Sequence, residues 1–114
     1  MSITIWHNPR CSKSRQTLEL LTIQGIKPQI VEYLKQAPSL EDIKSVLDKL
    51  GLEPRAIMRK GEAVYKELNL KEVADDKALI QAMFEHPILI ERPIVITDTH
   101  AAIGRPPESV LDIL

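Results

Sequence analysis

Residues 3–15 read Ile3-Thr4-Ile5-Trp6-His7-Asn8-Pro9-Arg10-Cys11-Ser12-Lys13-Ser14-Arg15. Ile3, Ile5 and Trp6 form an apolar strand, which gives way at His7 to a polar stretch and then to a helix. Leu18 and Leu21 supply that helix with an apolar face and Gly25 with a stop, so the pattern predicts a helix over 12–24. Gln29 to Leu34 read as a second strand. Strand, helix and strand form a βαβ unit, which implies parallel pairing and a right-handed crossover. The loop before the helix then lies at the C-terminal edge of the sheet, where open α/β sheets bind ligands. Cys11 is on that loop.

Free cysteine is commonly a small buried hydrophobe. Arg10, Ser12, Lys13 and Ser14 are poor neighbours for an inert core sulfur, and the placement reads instead as a reactive thiol. The thiolate is the nucleophile, and a helix N-terminus with Arg10, Lys13 and Arg15 around it favours the charged form. The same exposed amides accept an oxyanion. A nucleophile and an anion site in one place suggest chemistry on an oxidised, negatively charged substrate.

Further along, Ser39 with Asp42 three residues on is a capping signature, and Ile43, Val46, Leu47 and Leu50 fall at helical spacing before Gly51. Shorter helical pieces are expected around 54–60, 62–68 and 76–85, the last with Leu79, Ile80 and Met83 on one side. From Arg92 the texture changes. Pro93-Ile94-Val95-Ile96 is β-rich, Thr97-Asp98-Thr99-His100 is a turn candidate, and Ala101-Ala102-Ile103 pairs back as a hairpin. Gly104-Arg105-Pro106-Pro107 opens a last helix that ends at Leu114. The order βαβ, several helices, ββα is that of an α/β, thioredoxin-like domain spanning 1–114, with a helical insertion at about 39–87. Such folds carry a cis proline before an apolar strand, facing the active cysteine. Pro93 is the candidate.

Composition sets outer limits. At 114 residues and 44% hydrophobic the chain fits one domain with a real core. Fifteen Lys+Arg against sixteen Asp+Glu leave no global pull toward nucleic acid or anionic membrane, so anion recognition must be local. No signal peptide or membrane span is evident, and a cytoplasmic protein is the expectation. One cysteine cannot close an intramolecular disulfide, so redox work needs a second thiol from outside. His7, His86 and His100 are too scattered for a recognised metal-ligand spacing, and no metal is expected.

Four motifs together carry a resemblance: His7-Asn8-Pro9-x-Cys11-x-x-Ser14-Arg15; Arg59 within Arg55-Ala56-Ile57-Met58-Arg59-Lys60; His86-Pro87-Ile88-Leu89-Ile90-x-Arg92-Pro93-Ile94-Val95; and Arg105-Pro106 before Val110-Leu111-Asp112-Ile113-Leu114. In order and spacing they resemble the glutaredoxin-coupled arsenate reductase (ArsC) family, over nearly the whole chain. The resemblance implies that Cys11 attacks arsenate, that Arg59, Arg92 and Arg105 hold the oxyanion, and that glutathione, as co-substrate, attacks the cysteine-bound arsenic. Glutaredoxin then regenerates the thiol as arsenite leaves, with no tightly bound cofactor. The planar guanidinium fork suits paired oxygens. His7 is expected to assist by hydrogen bonding or by charge near the thiolate. Ser14 and Arg15 are expected to order the anion loop and Asn8 to fix its turn. The chain looks like the short branch of the family, without the C-terminal extension of the longer members. A sister group, the Spx-like regulators that bind RNA polymerase, shares the fold but usually has a C-x-x-C switch where Ser14 stands here. A non-catalytic module that reacts with glutathione is the third reading.

Overall fold

The computed structural model describes residues 2–114. Its elements follow the expected order: β1 (Thr4–Trp6), α1 (Ser12–Ile23), β2 (Gln29–Val31), α2 (Leu40–Leu50), α3 (Ala63–Glu67), α4 (Asp76–Glu85), β3 (Ile94–Ile96) and β4 (Ala101–Ile103). Short 3-10 helices occupy Pro54–Ile57, Leu70–Glu72, Pro87–Leu89 and Pro107–Ile113. The chain divides into two compact units, Met1–Gln36 with Arg92–Leu114, and Ala37–Glu91.

The first unit carries a four-stranded sheet of order β2-β1-β3-β4. β1 runs parallel to β2, pairing Trp6 with Val31, and antiparallel to β3, pairing Trp6 with Ile94. β3 pairs antiparallel with β4, Ile94 opposite Ile103. These registers bring the end of β1, the end of β2, the start of β3 and the end of β4 to one edge. Ile5, Leu21, Val95 and Val110 form the buried core, with Leu18, Ile26 and Ile113 packed against it. α1 stops where Gly25 takes the left-handed conformation at φ 77°.

Two expectations are corrected here. The second strand ends at Val31 rather than Leu34, because the Glu32 carbonyl accepts from the amides of Lys35 and Gln36 and closes a turn. The last helix is a 3-10 helix beginning at Pro107, with the Ser109 amide bonded to the Pro106 carbonyl, an i to i+3 pattern that follows from two adjacent prolines without N–H groups. The Arg92–Pro93 bond is cis, as expected, and so is Arg105–Pro106.

In the second unit α2 begins with a complete capping box: the Ser39 hydroxyl accepts from the Asp42 amide at 3.0 Å, and the Asp42 carboxylate accepts from the Ser39 amide at 3.1 Å. It ends at Gly51, left-handed at φ 68°. Ile43, Val46 and Leu47 of α2 and Leu79 and Met83 of α4 are buried, as the helical spacing requires. An antiparallel bridge joins Met58 to Ile90.

Candidate active site

Cys11 is the N-cap of α1, with extended backbone angles (φ −96°, ψ 124°), and it is partly buried. Its carbonyl accepts from the Arg15 amide, while its own amide donates to the Asn8 carbonyl, both at 3.0 Å. The loop in front of it is tightly specified. The Asn8 side chain accepts from the Arg10 amide at 3.0 Å, an Asx turn. The Asn8 amide donates to the Ser14 hydroxyl at 3.0 Å, and Arg15 donates to the Pro9 carbonyl at 3.0 Å. Ser14 is fully buried. Its hydroxyl also meets His7 Nδ1 at 2.6 Å, so one side chain ties the end of β1 to the first turn of α1. Ser14 and Arg15 thus bond the loop to the end of β1 and to Pro9.

The Cys11 thiol titrates below its ordinary value. Partial burial of the sulfur pushes it up, and this is outweighed by the Ser14 amide, by the hydrogen bond and charge of the Arg92 guanidinium, and by the Lys13 amide. Arg92 acts on the thiol through both a hydrogen bond and its charge. Lys13 contributes through its backbone, and the Arg15 guanidinium is turned toward Pro9. Arg92 in turn holds its proton more firmly than usual: burial works against the charge, but Cys11 and Tyr33 more than offset it.

Arg105 completes the group. Its Nη2 lies 3.8 Å from Cys11 Sγ, and its Nε donates to the Arg92 carbonyl at 2.8 Å. Arg92 precedes β3 and Arg105 follows β4, so the Ile94 to Ile103 pairing fixes the two side by side. Gly104 permits this closeness. A Cβ there would stand 2.5 Å from Thr17 Oγ1 and 2.8 Å from Pro93 Cγ, while its amide donates to the Pro93 carbonyl at 2.9 Å.

His7 is buried at 6% exposure, and its titration is lowered, first by burial and further by Arg15, against the opposing pull of Glu32. Its side chain meets the Ser14 hydroxyl, and burial disfavours its charged form.

Arg59 belongs to the helical unit. Its amide donates to the Leu89 carbonyl at 2.7 Å, and its guanidinium pairs with Glu62 at 3.4 Å and Glu91 at 3.1 Å. Tyr33 is the residue the sequence reading missed. It is fully buried just past β2 and set against Arg92. Its signal is a phenol beside Leu34 at the end of a strand-forming run, a residue type that seeks a polar partner when buried. Cys11 is thus flanked by the guanidinium groups of Arg92 and Arg105, an arrangement able to draw in an anion and, as thiolate, attack its central atom.

The sequence model of the ArsC family matches residues 6–113. An arsenate reductase of Haemophilus influenzae is 50% identical over 116 residues, covering 100% of both chains. An arsenate reductase of Escherichia coli is 45% identical, covering 99% of this chain and 81% of its own. Among solved structures, an arsenate reductase from Vibrio cholerae superposes with a TM-score of 0.97 at 57% identity, covering 100% of this chain and 98% of its own.

Proposed function

Because this chain belongs to the ArsC family, we propose that it is an arsenate reductase that uses Cys11 as nucleophile and external thiols as reductant. The observation that carries the reading is the convergence of Arg92 and Arg105 on the Cys11 sulfur from sequence positions far from it. That convergence puts two positive, bidentate donors beside a thiolate, and arsenate offers oxygens in the matching geometry. Near relatives bearing the name arsenate reductase support the choice of oxyanion.

In this scheme the Cys11 thiolate attacks arsenic(V) and an arsenate oxygen leaves as water or hydroxide, with Arg92 and Arg105 neutralising the remaining oxygens. Glutathione then adds its sulfur to the bound arsenic. Collapse of that adduct joins the two sulfurs in a Cys11–glutathione disulfide and passes two electrons to arsenic, which departs as arsenite. Glutaredoxin reduces the mixed disulfide. His7 acts as a positioning residue, through Ser14, for the loop that presents the sulfur. Arg59 enters as the third oxyanion ligand on the family resemblance alone.

The test is a coupled assay in which glutathione, glutaredoxin and glutathione reductase are supplied and NADPH consumption is followed. Arsenate-dependent consumption that disappears in Cys11→Ser is expected. No arsenate dependence with the wild-type protein would overturn the reading.

A further inference from the structure

The helical unit contains a cavity of about 480 Å³ lined by Arg55, Lys60, Tyr65, Lys66, Asn69 and Lys71. Four of these six residues are cationic and none is acidic, on a chain whose formal net charge is −1. Local concentration of one sign in a concave, partly apolar setting focuses potential toward an oppositely charged ligand.

Arg55 is the fixed point. Its guanidinium donates to the Tyr65 hydroxyl at 2.7 Å, to the Leu70 carbonyl at 3.0 Å and to the Val73 carbonyl. All three acceptors are neutral, so the side chain is immobilised while its charge is not cancelled. The ion pairs of Lys35 with Glu32, and of Arg59 with Glu62 and Glu91, involve none of the four cations of the cavity. Lys60, Lys66 and Lys71 are exposed, with stems that extend the wall and ammonium groups free to turn inward. Tyr65, buried with its hydroxyl bonded to Arg55, lines the cavity, and Asn69 stands at the turn between α3 and Leu70–Glu72.

We propose that this cavity binds a small organic polyphosphate, a ligand of the nucleoside diphosphate kind, with its phosphates among the lysines and its flat body against the Tyr65 side. The volume lies within the range of about 300–1,000 Å³ that accommodates such molecules. Phosphate is favoured over a single carboxylate because several cations at separate points match a ligand with charge distributed over several oxygens. The proposal is independent of the arsenate reading, since every lining residue lies in Ala37–Glu91 and none is Cys11, Arg92 or Arg105.

The test is an NMR titration of the isotopically labelled full chain at low salt with three probes: ADP, inorganic tripolyphosphate and adenosine. ADP is expected to bind saturably, shifting the amides of Lys66, Asn69 and Lys71, with tripolyphosphate weaker and adenosine without effect. The double variant Lys66→Glu, Lys71→Glu is expected to weaken ADP binding at least tenfold. The milder Lys66→Gln, Lys71→Gln pair should weaken it in the same direction, and it keeps the test open should the reversal disturb folding. Absence of saturation, shifts confined to the Cys11 loop, or undiminished affinity in the Gln pair would each overturn the site. Equal affinity for ADP and tripolyphosphate would overturn the organic body of the ligand.

Discussion

Arg92 has a double role at the site, because it lowers the titration of Cys11 and remains charged to meet an anion. Arg92→Lys keeps the charge but replaces a fork with a point, and Arg105→Lys does the same 3.8 Å from the sulfur. Each variant is expected to lower arsenate turnover about ten- to a hundredfold, the equivalent of one charge-assisted contact of ~1.5–3 kcal/mol, as steady-state kinetics would show. Unchanged kinetics in both would remove the clamp. The Arg92 variant should also move the alkylation profile of Cys11. In the wild type, iodoacetamide labelling should have its pH midpoint below that of free cysteine, and it should shift upward in Arg92→Ala. His7 gives a second titration effect. Its folded-state value lies below the ordinary 6.5, so between the two the unfolded chain binds the extra proton. Stability from this group is full above 6.5 and falls as pH drops through that window. Denaturant midpoints measured across it for the wild type and His7→Gln should converge on the acid side. Placement at the strand-to-helix junction singled out Cys11, and the family resemblance added Arg59, Arg92 and Arg105. Proximity along the chain points to Arg10, Lys13 and Arg15 as cations near Cys11, whereas the approach of Arg92 is set by the sheet register and cannot be seen from sequence distance.

At the scale of elements, the site is a product of strand pairing. β1, β2, β3 and β4 each end or begin at one edge, and the loops that leave this edge carry His7, Cys11, Tyr33, Arg92 and Arg105. Hydrophobic period and capping chemistry are local, which is why α1, α2 and α4 were legible almost to the residue. The end of β2 was not, because Tyr33 and Leu34 beyond Val31 are compatible with a strand and the stop comes from backbone bonding at Glu32. The 3-10 character of Pro107–Ile113 was also hidden, since proline is compatible with the first turn of either helix. Gly104 tests the close approach of β4 to α1 and Pro93. Gly104→Ala is expected to destabilise the fold by about 1–3 kcal/mol through overpacking against Thr17 and Pro93, read as a lowered denaturant midpoint. Ser39→Ala removes half of the capping box, with an expected loss of about 1 kcal/mol and no effect on Cys11 labelling.

At the scale of the whole molecule, sulfur counting governs the reaction. The chain has one cysteine, and arsenic(V) needs two electrons to become arsenic(III), whereas one thiolate forms an adduct without a partner for a disulfide. Ser14, where a second thiol would have to stand in a C-x-x-C switch, is buried and bonded to His7 and Asn8. On the proposed scheme the resolving nucleophile is a thiol of another molecule, glutathione. The most direct test is a single-turnover measurement with pure protein, arsenate and no small thiol, followed by mass spectrometry of Cys11 and quantitation of arsenite. The account predicts no arsenite until glutathione is added, then one equivalent per Cys11 with the glutathione disulfide on the protein, and repeated turnover only with glutaredoxin. Arsenite released before any thiol is added would contradict it.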